Sequence, residues 1–294
     1  MIRNGLCESE TAILPPLFLE EKMGRDVEEK IDWDEIWKRG IEESTFRLSA
    51  EDVDARARIW DKAMRGNIDS GYVDELLGSM NLSSDLTALD VGCGSGFVAI
   101  PMAKRVRWVT ALDQAPNMLD LTREYAAADA VHNLSTINKD WLQVEIGRDI
   151  EFHDIVLASR CLQTTELRRF LLQMDKAARK RCFIAWGAGY RDDDAEICNA
   201  LNIVYKPPPS YMVVFNLLYK MGILANIEIH SRPITRWYRD LDEAVFSLLR
   251  GRPMEKPAIE TLKAYYQERL TFRDGRYWRV IREPWALISW LKGN

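Results

Sequence analysis

Apolar positions along the chain change their period near residue 86. Before it they recur at helical spacing: Trp33, Ile36 and Trp37 share one face of the stretch 31–37, and Ile59, Trp60 and Met64 share one face of a second stretch, 57–64. From Leu86 onward, short apolar runs alternate with helical stripes, the pattern of a parallel sheet with crossover helices. Strands are expected at 86–91, 108–112, 134–137, 155–158 and 182–186. Helices are expected over 97–106, from Pro116 onward, and over 166–180, where Leu167, Phe170, Leu171, Met174 and Ala178 fall on one face. After Gly187 the alternation loosens. A helix capped by Asp192–Asp194 is expected to run to about residue 204, and Pro207, Pro208 and Pro209 then force an extended break. An apolar helix over 211–221 ends at Gly222, a sixth strand covers 227–229, and amphipathic helices lie near 241–249 and 258–270. Asp274-Gly275 is a hairpin signal, followed by strand-like 277–281 and 285–291.

Composition narrows the class. The chain has 294 residues, 47 % of them hydrophobic and 29 % charged, which suits a folded globular protein. Its net charge of −5 disfavours a protein whose affinity rests on neutralising a nucleic-acid backbone. The five cysteines (Cys7, Cys93, Cys161, Cys182, Cys198) form no C-x-x-C pair, and there are only three histidines. No disulfide framework and no metal site are therefore expected. The densest apolar stretch, 211–223, is interrupted by Asn216 and Lys220, so no membrane span is expected, and the Pro-broken stretch 13–19 does not read as a signal peptide. The expected address is the cytoplasm.

The chemistry concentrates in Leu89-Asp90-Val91-Gly92-Cys93-Gly94-Ser95-Gly96-Phe97, where a strand runs through alternate glycines directly into a helix. Such a loop at the carboxyl end of the first strand is where open α/β sheets bind nucleotides, and its glycines let a ligand approach the backbone. Two cofactors compete for it. Gly94-x-Gly96-x-x-Ala99, with Asp113 19 residues after Gly94, fits a dinucleotide fingerprint. An acid before glycines at 92, 94 and 96 instead resembles motif I of the class I S-adenosylmethionine-dependent methyltransferases. S-adenosylmethionine offers no pyrophosphate, but its methionine part carries an ammonium that a carboxylate can orient.

The resemblance extends over residues 86 to about 187 and favours S-adenosyl-L-methionine as cofactor. It implies that Asp90 orients the ammonium, directly or through water, while the turn of Gly92, Cys93, Gly94 and Gly96 meets the cofactor body. It further implies that Asp113, ending the second strand, accepts hydrogen bonds from the ribose hydroxyls. Gln114 and Met118 would then lie against the adenine, with Asp140 near its amino group and Trp141 beside the ring. Ser159 closes the fourth strand. The implied fold is an α/β, Rossmann-like, doubly wound seven-stranded sheet whose last strand, expected at 285–291, is antiparallel. Residues 1–80 would form a helical N-terminal cap on a methyltransferase domain spanning 81–294, with 188–224 as an inserted lid. Arg160, Trp33, Trp37 and Tyr211 are the acceptor-pocket candidates, and Arg160 as a fixed cation favours an acceptor bearing a carboxylate or phosphate.

The exit of the fourth strand, Ser159-Arg160-Cys161-Leu162, lacks the Asn/Asp-Pro-Pro-aromatic motif of adenine and glutamine amide methylation. Neither the tetrad of ribose methylation nor the Pro-Cys nucleophile of cytosine methylation is evident. The expected function is methyl transfer to a small molecule by proximity and in-line orientation, with no catalytic residue assigned. A non-catalytic regulator binding S-adenosylmethionine or S-adenosylhomocysteine and an RNA or protein methyltransferase remain the alternatives. The oligomeric state is open.

Overall fold

Thr87–Val91 (β1) is buried along nearly its whole length because both of its faces are covered, which is why it reads as a continuous apolar run. It pairs in parallel with Trp108–Asp113 (β2) on one side and His153–Ser159 (β4) on the other. Leu134–Asn138 (β3) extends the sheet beyond β2, and Ala178–Gly187 (β5) beyond β4. Asn226–His230 (β6) and Trp285–Leu291 (β10) complete seven strands in the order β3-β2-β1-β4-β5-β10-β6. β10 is inserted antiparallel between β5 and β6, Trp285 pairing with both Gly187 and His230. This is the sheet the motif resemblance implied. In this computed structural model, residues 30–47, 49–65, 71–188, 192–249 and 252–293 are described. The expectations for 1–29 and 189–191, Cys7 included, lie outside them.

By its contacts the chain divides into Met1–Trp33 and Asp34–Asn294, and both sheets belong to the second unit. Among the described residues four helices precede β1: Trp33–Glu43 (α1), Ala50–Ala55 (α2), Ala57–Arg65 (α3) and Tyr72–Ser79 (α4). They do not form one cap ending at residue 80. Tyr72, Leu76 and Leu77 of α4, with Met80, sit in the same core as β1 and β2, because α4 packs its apolar side on the sheet. The crossovers are Ala99–Ala103 (α5), Pro116–Ala128 (α6) and Leu167–Ala177 (α7). α7 is shorter than its apolar stripe suggested, since Ala178 already pairs with His153 as the start of β5.

The segment after β5 departs most from expectation. Asp192–Ala200 (α8) is followed by irregular chain to Tyr211–Lys220 (α9), whose Val213, Val214, Leu217 and Leu218 are buried and which packs on α7 and β10. α9 therefore covers the flank of the sheet rather than the end where the glycine loop lies. A second, three-stranded sheet has the order β7-β9-β8, from Pro233–Tyr238 (β7), Thr271–Arg273 (β8) and Arg276–Arg282 (β9). Asp274 and Gly275 join β8 to β9 with φ of 51° and 71°, a two-residue turn whose twist matches that of its strands. Leu241–Leu249 (α10) and Lys256–Gln267 (α11) pack with α8 and this sheet around Ile197, Tyr238, Leu248, Leu262 and Tyr266, a second small core.

Candidate active site

A cavity of about 530 Å³ opens at the carboxyl ends of β1, β2 and β4, within the size range of small-molecule and cofactor pockets. Asp90, Gly92, Cys93 and Gly94 line it from the loop after β1. Asp113, Gln114 and Met118 line it after β2, Asp140 and Trp141 after β3, and Ser159 and Arg160 after β4. Ten of the eleven residues assigned to the cofactor are thus gathered around one space. The exception is Gly96, whose added Cβ would strike Ile100 and Thr122 at 2.9 Å, so it serves helix packing.

The loop is held by its own backbone. The amides of Gly92 and Cys93 donate to the carbonyl of Leu112 at 2.8 and 3.0 Å, which ties the turn to the end of β2. Gly92 has φ +67°, and a Cβ there would come within 2.5 Å of the Cys161 side chain. Gly94, at φ +55°, differs: among the described residues nothing lies within 4 Å of the position its Cβ would take. Its open side faces the cavity, so a cradle for a ligand exists where a side chain would intrude.

The two carboxylates differ in their environment. Neither oxygen of Asp90 has a hydrogen-bond partner among the described residues, although the side chain is buried. Burial, reinforced by the nearby Asp113 charge, pushes its carboxyl up to about 8. An orphaned buried acid facing a cavity fits a cationic ligand group such as an ammonium. Asp113 accepts from the amides of Gly94 (2.8 Å) and Ala115 (2.9 Å). Burial raises its carboxyl above the ordinary range, and these amides oppose the rise. Held by backbone donors, its oxygens keep lone pairs for a diol.

Asp140 is also pinned, accepting from the amide of Leu142 at 3.0 Å, while the buried Trp141 donates to the carbonyl of Phe170 at 3.3 Å. Burial pushes the thiols of Cys93 and Cys161 well above their usual range, so neither is a ready nucleophile.

At the other end of the cavity, Arg160 takes a left-handed backbone, φ +56°. Its amide donates to the Ala185 carbonyl at 2.9 Å. Its guanidinium lies 4.2 Å from the Tyr72 ring and 3.8 Å from Glu283. The Tyr72 hydroxyl is 2.7 Å from Ser159 Oγ, and burial raises it above its ordinary range against the pull of Arg160.

Two further acceptor candidates, Trp37 and Tyr211, do not line the cavity. Trp37 is fully buried against Trp186, ring centres 5.7 Å apart, and donates to the Thr164 carbonyl at 2.7 Å. Tyr211 opens α9, on the flank of the sheet. Trp33 belongs to the unit Met1–Trp33.

The second sheet supplies a wall that the sequence did not disclose. Ile234 and Arg236 of β7, Arg252 after α10 and Glu283 after β9 all line the cavity. Arg236 is buried between Asp193 (3.1 Å) and Glu283 (3.3 Å). Arg252 pairs with Asp194 at 3.0 Å and lies 4.2 Å over Phe46, another lining residue. On the helical side, Trp60 lines the cavity and Asp61 binds Ser95 of the glycine loop and the Tyr125 hydroxyl. The one sequence signal for the wall was the strict alternation Ile234, Arg236, Tyr238, in which a charged residue takes an inward position.

Comparison with known proteins gives a consistent picture. Residues 88–181 match the family described as a methyltransferase domain. An uncharacterised Haemophilus influenzae protein is 32 % identical over 233 residues, 75 % of this chain and 82 % of its own length. The ubiquinone biosynthesis O-methyltransferase of Rickettsia canadensis is 27 % identical over 103 residues, 35 % of this chain and 42 % of that enzyme. Among solved structures, YcgJ of Bacillus subtilis superposes with a TM-score of 0.55 at 12 % identity, covering 76 % of this chain and 98 % of that one. Phosphoethanolamine N-methyltransferase 2 of Haemonchus contortus, solved with phosphomonomethylethanolamine and S-adenosylhomocysteine, gives 0.53 at 14 %, covering 84 % and 61 %. At such identities the structural likeness establishes the fold alone. None of the described helices is long and apolar enough to cross a membrane.

Proposed function

The chain belongs to the class I S-adenosylmethionine-dependent methyltransferases, enzymes whose cofactor is S-adenosylmethionine, and from that premise we propose that its acceptor is a small molecule with an anionic group. The observation that carries this reading is the wall of Phe46, Ile234, Arg236 and Arg252 facing the glycine loop across the cavity. A space bounded on both sides admits a small acceptor beside the cofactor and excludes much of the water. Methyltransferases of small molecules and of ribosomal RNA both occur among the relatives. The bounded cavity favours the former for this chain.

When bound, S-adenosylmethionine supplies a methyl group on a positively charged sulfur. The chain's part is to position. Asp90 receives the ammonium, Asp113 the ribose hydroxyls, and Met118 and Trp141 flank the adenine. Arg160, fixed by its strained backbone and by Tyr72, meets the acceptor's carboxylate or phosphate as a planar donor fork. No side chain is assigned as a general base, and rate enhancement rests on proximity and in-line orientation.

The test is formation of S-adenosylhomocysteine by purified protein given the dialysable, RNA and protein fractions of a cell extract. Turnover with the dialysable fraction supports the reading, and turnover with only RNA or protein refutes it. Arg160→Ala should then lower kcat/KM for the acceptor while leaving cofactor affinity unchanged.

A further inference from the structure

The two faces of the three-stranded sheet differ in character. Strand pairing sets Pro233, Thr235 and Trp237 opposite Arg282, Val280 and Trp278, and sets Thr271 and Arg273 opposite Trp278 and Arg276. Because side chains alternate along a strand, these nine residues share one face. Ile234, Arg236, Tyr238 and Ile281 take the other face and are buried, and Ile234 and Arg236 line the cavity.

The outer face holds three arginines and two tryptophans and no acid, although the whole chain carries a net charge of −5. Arg273, Arg276 and Arg282 are exposed, and none of them has a carboxylate partner among the described residues. Two guanidinium groups lie over indoles: Arg276 at 4.1 Å from the Trp237 ring and Arg273 at 4.5 Å from the Trp278 ring. Nearby in the chain, acids fall outside the paired positions: Asp274 in the β8–β9 turn, Asp240 after β7 and Glu283 after β9. Unpaired cations beside flat π surfaces match a ligand that is at once polyanionic and stackable.

We propose that this outer face binds single-stranded nucleic acid, its phosphates meeting Arg273, Arg276 and Arg282 and its bases stacking on the Trp–Arg pairs. A duplex hides its base faces and could not stack them on the Trp–Arg pairs. An acidic peptide would satisfy the arginines alone. Since Ile234 and Arg236 point to the cavity from the opposite face, a strand bound here is held behind the cavity wall and is not presented to the cofactor. The site is therefore one of docking, and it stands independently of the acceptor reading.

The experiment is fluorescence anisotropy with a labelled oligouridine, titrated at several salt concentrations. Binding should weaken linearly in log–log form as salt rises. The triple variant Arg273→Glu, Arg276→Glu, Arg282→Glu should lose at least about tenfold in affinity, with a salt slope shallower by about 2, roughly 0.7 per lost phosphate contact. Trp237→Ala should weaken binding at least about fivefold, the lower end for one stacked base. All three arginines are exposed, so the thermal melt of the triple variant should be unchanged. If that variant does not fold, the three single Arg→Ala variants serve, each expected to lower the slope by about 0.7. S-adenosylmethionine affinity, measured by calorimetry, should be the same in every variant. The proposal is overturned if oligouridine does not bind at low salt or if charge reversal leaves its affinity unchanged. Phosphatidylserine vesicles or a second copy of the chain engaging this face while oligouridine does not would overturn it as well.

Discussion

Asp90 makes cofactor binding a reporter of pH. In the ligand-free protein its carboxyl sits at about 8, because burial and the Asp113 charge both disfavour the anion. At pH 7 most molecules therefore hold the proton. A bound ammonium needs the carboxylate, so binding must expel that proton, and each pH unit below 8 weakens the apparent affinity by up to tenfold, about 1.4 kcal/mol. Between pH 6 and 7.5 the Kd for S-adenosylmethionine should fall by up to about thirtyfold, in a range where α-amino groups stay mostly charged. Isothermal titration calorimetry in buffers of different ionisation enthalpy reads both the Kd and the proton released. Asp90→Asn should bind more weakly at pH 7.5 and lose most of the slope. A native Kd independent of pH, or a variant that keeps the native slope, would refute the reasoning. Stability must move the opposite way. The folded-state pKa exceeds that of the unfolded chain, so the folded protein binds more protons between about pH 4 and 8. Melting temperature of the free protein should fall as pH rises through that window, and less steeply in Asp90→Asn.

Three further outcomes follow from the geometry. Asp113→Ala should weaken S-adenosylmethionine binding at least tenfold, since hydrogen bonds to a charged group are worth about 1.5–3 kcal/mol each, with far-ultraviolet circular dichroism unchanged. An unaltered Kd would mean that this acid only holds the amides of Gly94 and Ala115. Gly94→Val should abolish detectable cofactor binding in a protein that still folds, its branched side chain filling the open space at φ +55°; calorimetry beside a thermal melt separates the two effects. Trp37→Ala should cost about 3–5 kcal/mol in denaturant unfolding through the void against Trp186, with acceptor KM unchanged. A raised KM without lost stability would return that indole to the acceptor site.

Much of the sheet could be read from the chain because its information is local. β1, β2, β4 and β5 are largely buried and, with the half-buried edge strand β3, follow one another with short crossovers, so the order of their apolar runs implies the parallel topology. The glycines at 92 and 94 and the acids Asp90, Asp113 and Asp140 fall at strand ends, and the carboxyl ends of parallel strands meet at one edge. Identifying those ends was enough to bring the residues together.

Where partners come from distant segments, local pattern falls silent. The apolar stripe of α9 showed that something is buried without saying against what, and the tertiary structure lays it on α7 and β10. Trp33, Trp37 and Ile36 could be assigned one helical face, yet only the fold turns Trp37 into Trp186 and away from the cavity. Apart from the alternation around Arg236, nothing marked Arg236 or Arg252 as part of the wall, because an arginine reads as solvent-facing until Asp193 or Asp194, more than forty residues earlier, pairs with it. Sequence alone determined the nucleotide-binding edge, since backbone period and strand-end chemistry are carried by neighbours. The tertiary structure decided what stands opposite that edge, because burial of a charge is settled by its distant partners.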